Sequence, residues 1–118
     1  MSDTKDFDIL IHIVRHCEQI FQTQNRFGDD YEAFSSDNDY YDSVAMKIFQ
    51  IGELANHLSS EFKLTYPDIP WQKIKGMRNI VAHQYDQLDL EVVWVTIKER
   101  IPELFKYCES IVNHNKLL

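Results

Sequence analysis

The sequence predicts an all-α fold, an antiparallel up-and-down bundle of four main helices, on three observations. Three glycines and three prolines in 118 residues leave little material for tight turns, which disfavours a many-stranded sandwich. Apolar residues recur at steps of three and four through most of the chain, the period of an amphipathic helix. The length suits one compact domain, so residues 1–118 are read as a single helical domain with one core. A core of that size leaves room for a partner subunit to matter.

The first helix is expected from about Lys5 to Gln24. Phe7, Leu10, Ile11, Val14, Cys17 and Phe21 form one apolar stripe, and Ile9, Ile13 and Ile20 form a second beside it. A helix apolar on two faces needs two partners; the bundle supplies one, and a dimer is a candidate for the other. Asn25 to Asn38 reads as an acidic loop pinned by Phe27, Tyr31 and Phe34, with Asp39 or Asp42 as the cap of the next helix. The second helix is expected from about Tyr40 to Phe62, because Val44, Ile48, Ile51, Ala55, Leu58 and Phe62 step 4-3-4-3-4. Gly52 lies beside that seam. A mid-helix glycine costs about 0.5–1 kcal/mol relative to alanine, and close approach of another helix would be a reason to tolerate it. Pro67 and Pro70 bracket a connector, and a third helix follows from about Trp71 to Ala82 or just past it. Asp86 to Asp89 form a second connector. The last helix, from about Leu90 to Asn113, buries Val93, Trp94, Ile97, Ile101, Leu104, Cys108 and Ile111. Pro102 inside it predicts a kink or a restart.

The net charge of −7 is unevenly spread: residues 1–42 hold ten acids against three bases, whereas residues 43–118 hold nine of each. The global charge argues against broad nucleic-acid binding. The stretch from Trp71 to Tyr85 is an exception, with Lys73, Lys75 and Arg78 and no acid. Cys17 and Cys108 both fall on apolar stripes and read as reduced, buried thiols. No signal peptide is visible and no run of 18 apolar residues occurs, so a cytoplasmic protein without a membrane span is expected.

The chemistry concentrates in Met77-Arg78-Asn79-Ile80-Val81-Ala82-His83-Gln84-Tyr85. On one straight helix Arg78 and Tyr85 are nearly eclipsed, while His83 points about 140° away from Arg78. Arg78 and His83 converge if the helix ends near Ala82, or across a symmetric dimer. RNA carries its own nucleophile, the 2′-hydroxyl. Its cleavage needs a group that exchanges a proton near neutral pH, which His83 supplies, and a cation for the charged phosphorane, which Arg78 supplies. Asn79 can add a hydrogen bond, and Tyr85 can orient phosphate or stack on a base. No metal or cofactor is needed. The bland alternative is a solvated helix end.

The pattern Arg-x4-His-x-Tyr at Arg78, His83 and Tyr85 resembles that of the HepT-like branch of the HEPN superfamily. The context is similar too: Ile51-Gly52-Glu53 in the second helix, Ile69-Pro70-Trp71 leading into Gly76-Met77-Arg78-Asn79, and Asp89-Leu90-Glu91-Val92-Val93-Trp94 opening the last helix. The resemblance spans essentially the whole chain and is strongest from Lys47 to Leu104. It implies a helical bundle that forms a homodimer and brings two motifs to one cleft. It implies a metal-independent endoribonuclease, the toxin of a type VII-like toxin–antitoxin pair, with Arg78, Asn79 and His83 catalytic. It further implies an MntA-like nucleotidyltransferase antitoxin that transfers AMP from ATP onto Tyr85. The acidic N-terminal third departs from this picture and leaves the RNA path open; it faces away from RNA or binds the antitoxin. A reading from a different class remains: a non-catalytic helical module that binds a nucleotidyltransferase. An ion-paired Arg78 would favour it.

Other candidates are weaker. His12 and His16 stand four apart but lack a third metal ligand. Glu53 is either a buried partner for a motif arginine such as Arg78 or a plain helix-face carboxylate. His57 and His114 are lone, and Ser59-Ser60 has no nucleophile setting. Tyr40, Tyr41, Trp71 and Trp94 read as core or interface, with Tyr66 the aromatic to watch near the motif.

Overall fold

The computed structural model describes residues 2–82 and 89–115. The regular structure among those residues is all helical, with no strand. Helix α1 spans Ser2–Phe27, α2 Tyr31–Ser36, α3 Asn38–Asn56, α4 Ser60–Thr65 and α5 Trp71–Ala82. The last helical run consists of α6 (Leu90–Val95), a π-helical segment (Thr96–Arg100) and α7 (Ile101–His114).

Helix α1 lies between α3 and α7 and runs antiparallel to both. Phe7 near its start meets Phe62, just beyond α3, whereas Phe27 at its end stacks on Tyr40 near the start of α3. On the other side Phe21 packs edge-on against Phe105 of α7. Both apolar stripes of α1 are therefore consumed within one chain: Ile9, Ile13 and Ile20 are buried along with Leu10, Val14 and Cys17. Within the chain the two partners of α1 are α3 and α7.

The acidic segment contains a helix where a loop is expected. Asp30 accepts a hydrogen bond from the Ala33 N–H and starts α2, whose Phe34 is fully buried. Asp37 caps α3 by accepting from the Asp39 N–H, so neither Asp39 nor Asp42 is the cap. The expected aromatic pins are in place. Phe34 packs against Tyr40 and Trp94, and Tyr31 against Trp94. Gly28 takes the left-handed backbone (φ 110°) that closes α1, and its carbonyl accepts from the Tyr40 hydroxyl at 3.0 Å.

The second expected helix is split. Helix α3 ends at Asn56, and α4 restarts at Ser60 with Ser59 as N-cap. The cause lies 53 residues away. Asp6 of α1 is buried and accepts from both the Ser59 N–H at 2.9 Å and the Ser59 hydroxyl at 2.6 Å. The Ser59 oxygen in turn accepts from the Phe62 N–H. This clamp takes the backbone out of the helix, yet Leu58 and Phe62 stay on the buried seam.

Pro102 produces a restart. Helix α6 gives way to the π segment, whose closing bond runs from the Ile101 N–H back to the Thr96 carbonyl, and α7 begins with Pro102 in its first turn. A proline in the first helical turn lacks only an N–H that this position does not use within its own helix. Trp94 is only partly buried, unlike the rest of its predicted stripe.

Candidate active site

Helix α5 carries the described part of the motif and packs chiefly on α3. The contact is close because of Gly52. A Cβ there would sit 2.8 Å from the Arg78 backbone nitrogen, 3.1 Å from the Arg78 Cβ and 3.3 Å from the Ile74 carbonyl oxygen. The glycine beside the α3 seam thus has the reason that the sequence suggests: α5 crosses α3 on it, with Arg78 at the crossing.

The next residue on α3 is Glu53, and its Oε1 accepts from Arg78 Nη1 at 2.6 Å. The side chains are 36% and 37% exposed, so this is a pair at the protein–water boundary rather than a buried one. Of the two readings open for Glu53, the structure selects the partner of Arg78, but a half-exposed one instead of the buried one expected. A guanidinium has five N–H donors, and this bond occupies one of them. Asn79 follows on α5 and is exposed. His83 and Tyr85 lie outside the described residues, so the structure brings together Arg78 and Glu53 of the named residues and tests neither His83 nor Tyr85.

Two of the basic residues beside the motif face water to different extents: Lys73 is exposed and Lys75 half-buried. A groove of about 480 Å³ separates the start of α5 from the last helical run. Ile69, Ile74, Met77 and Leu104 form its apolar floor, and two bases and two acids, Lys73, Arg100, Asp68 and Glu103, stand exposed around it. Sequence reasoning missed this groove, because its walls come from segments some 30 residues apart in the chain that no local pattern connects.

The remaining candidates have structural roles. Ser59 is a cap held by Asp6. Tyr66 packs on Phe62, and its carbonyl accepts from the Trp71 indole N–H, so it belongs to the core edge. Tyr40 and Trp71 are buried. The His16 ring lies 3.4 Å from the Gln19 amide oxygen, and burial lowers its pKa below the ordinary value. Among the described residues no group of three His, Cys, Asp or Glu side chains is arranged to hold a metal. Cys17 and Cys108 are buried free thiols, and burial raises the pKa of each, that of Cys108 to about 12. No described helix is long and apolar enough to cross a membrane.

Comparison with known proteins connects the chain to a ribonuclease family. The family described as "Ribonuclease HepT-like" matches residues 10–111, and the chain belongs to this HepT-like family of the HEPN superfamily. The chain is 32% identical over 107 residues to "Putative RNase TTE0752" of Caldanaerobacter subterraneus subsp. tengcongensis, covering 91% of this chain and 94% of that protein. It is 28% identical over 93 residues to "Putative RNase MJ1380" of Methanocaldococcus jannaschii, covering 71% and 85%. It is 35% identical over 74 residues to "Probable ribonuclease HepT" of Thermococcus cleftensis, covering 63% and 67%. No solved structure matches the chain.

Proposed function

We propose that this chain is a metal-independent endoribonuclease with Arg78, Asn79 and His83 as its catalytic residues. Membership of a ribonuclease family across residues 10–111 is the observation that carries this reading. The chemistry is internal transesterification. The 2′-hydroxyl oxygen attacks the adjacent phosphorus, the P–O5′ bond breaks, and the products are a 2′,3′-cyclic phosphate and a 5′-hydroxyl. His83 exchanges the proton, Arg78 neutralises the phosphorane, and Asn79 donates a hydrogen bond to it. In this reading the protein is cytoplasmic and acts as a homodimer whose paired motifs share a cleft. It is the toxin of a toxin–antitoxin pair, silenced when a nucleotidyltransferase antitoxin moves AMP from ATP onto the Tyr85 oxygen and releases pyrophosphate. The added phosphate would repel an RNA backbone from Arg78.

A second reading has one observation in its favour. The Arg78–Glu53 ion pair is what a non-catalytic helical module, built to bind a nucleotidyltransferase, would show. The two are separated by incubating unmodified protein with RNA in EDTA beside Arg78→Ala and His83→Ala. Cleavage to cyclic phosphate ends that both variants lose supports the nuclease. A folded protein whose Tyr85 is bare by mass spectrometry and which leaves a pool of cellular RNA intact supports the binding module.

A further inference from the structure

Resting on the nuclease reading, we propose that Glu53 is a positioning residue: it holds the Arg78 guanidinium by one N–H so that its remaining donors face an RNA phosphate. Three features of the α3–α5 crossing converge on this. Gly52 lacks the Cβ that would strike the Arg78 backbone, so α5 is seated at Arg78 itself rather than a turn away. Glu53 follows Gly52 directly and meets Arg78 Nη1 at 2.6 Å. The pair is about a third exposed on each side, so the guanidinium is not sealed from solvent by the contact.

The alternative role for the same contact is neutralisation, in which the carboxylate occupies the cation and competes with RNA. Geometry favours positioning. Among the described residues one carboxylate oxygen on one N–H leaves four donors, among which a two-N–H edge can still meet two phosphate oxygens side by side. A flexible arginine side chain in water loses rotamer freedom when it binds, and a fixed carboxylate removes part of that cost before RNA arrives. The two roles predict opposite signs. Loss of a positioning carboxylate slows turnover, whereas loss of a competing one tightens RNA binding and speeds cleavage.

The experiment compares wild type, Glu53→Ala and Glu53→Gln in the full chain, with two readouts. The first is cleavage of a single-stranded RNA in EDTA, resolved into kcat and KM. The expected result is a kcat about 10- to 100-fold lower in Glu53→Ala with a smaller change in KM. Glu53→Gln, which keeps an acceptor oxygen, recovers most of the loss. The second readout is the Arg78 side-chain N–H signal in a nitrogen-15 NMR spectrum, assigned by its disappearance in Arg78→Ala. That signal is expected to be exchange-protected in wild type and in Glu53→Gln and lost in Glu53→Ala. Unchanged or faster cleavage by Glu53→Ala overturns the proposal while leaving the nuclease intact. Should wild type cut no RNA, the nuclease reading fails, and the proposed catalytic role falls with it; the NMR arm then reports whether Glu53 still orders Arg78. An Arg78 signal equally protected in Glu53→Ala overturns the positioning itself.

Discussion

Two carboxylates in this molecule each hold a partner from a distant element, and they do so in opposite settings. Asp6 is 2% exposed and accepts two hydrogen bonds from Ser59, joining the start of α1 to the start of α4. Glu53 is 37% exposed and accepts one bond from Arg78, joining α3 to α5. A buried carboxylate must have its lone pairs met, and removing it leaves the part-buried Ser59 donors without their acceptor, so it acts on stability. A half-exposed ion pair contributes little to stability, because water competes for both ends. Its content is orientation. The contrast separates a fold-setting contact from one available for chemistry, though both are charged and both are hydrogen-bonded.

Substitutions can break or sharpen that contrast. The largest effect is expected at Arg78: Arg78→Ala should lower RNA cleavage by about 100-fold or more, the scale for removing a donor that meets developing charge. Its denaturation midpoint should stay near wild type. A large loss of stability would place Arg78 with Asp6 among the fold-setting residues. Gly52→Ala comes next. Alanine favours a helix interior by about 0.5–1 kcal/mol. Here, however, its Cβ would meet backbone at 2.8 Å, and overpacking of this kind costs about 1–3 kcal/mol. Urea denaturation should therefore show net destabilisation, and cleavage should fall as Arg78 is displaced. Stabilisation would mean that α5 shifts without cost.

Asp6→Ala should destabilise the chain by about 1–2 kcal/mol, read by urea denaturation, with kcat unchanged in the folded fraction. Glu53→Ala should cost less than about 1 kcal/mol by the same measurement. Equal costs for the two would erase the distinction. The smallest effect is a pH dependence at His16. Burial lowers its pKa in the fold below 6.5, so the unfolded chain binds the proton more readily. The stability from keeping the ring neutral is complete above pH 6.5 and is lost as pH falls through the lower folded value. His16→Gln should remove that part of the slope in denaturation midpoints measured across this range.

Much of the fold was legible locally. The stripes of α1, the seam through Val44, Ile48, Ile51 and Ala55, and the run from Val93 to Ile111 are buried with few exceptions, because an apolar face of period 3.6 has one stable use in water. Pro102 announced its restart through its missing N–H. The acidic third of the chain was harder. Four of its acids have internal duties: Asp6 clamps Ser59, Asp30 and Asp37 cap helices, and Asp29 pairs with Lys98 at 2.7 Å. A charge count records the acids but not their partners. The break after Asn56 was invisible for a like reason, since the apolar seam runs on through Leu58 and Phe62 while the backbone departs from the helix.

The sequence by itself determined the helical class, the core-facing residues and the motif from Arg78 to Tyr85, with Asn79 and His83 between them. Each depends on spacing within a single segment. The tertiary structure alone decided that α3 and α7 are the partners of α1, that Asp6 ends the second helix from 53 residues away, and that Glu53 rather than water meets Arg78. Those outcomes depend on which surfaces meet when the helices pack, and contacts between distant segments are not encoded in the period of either one.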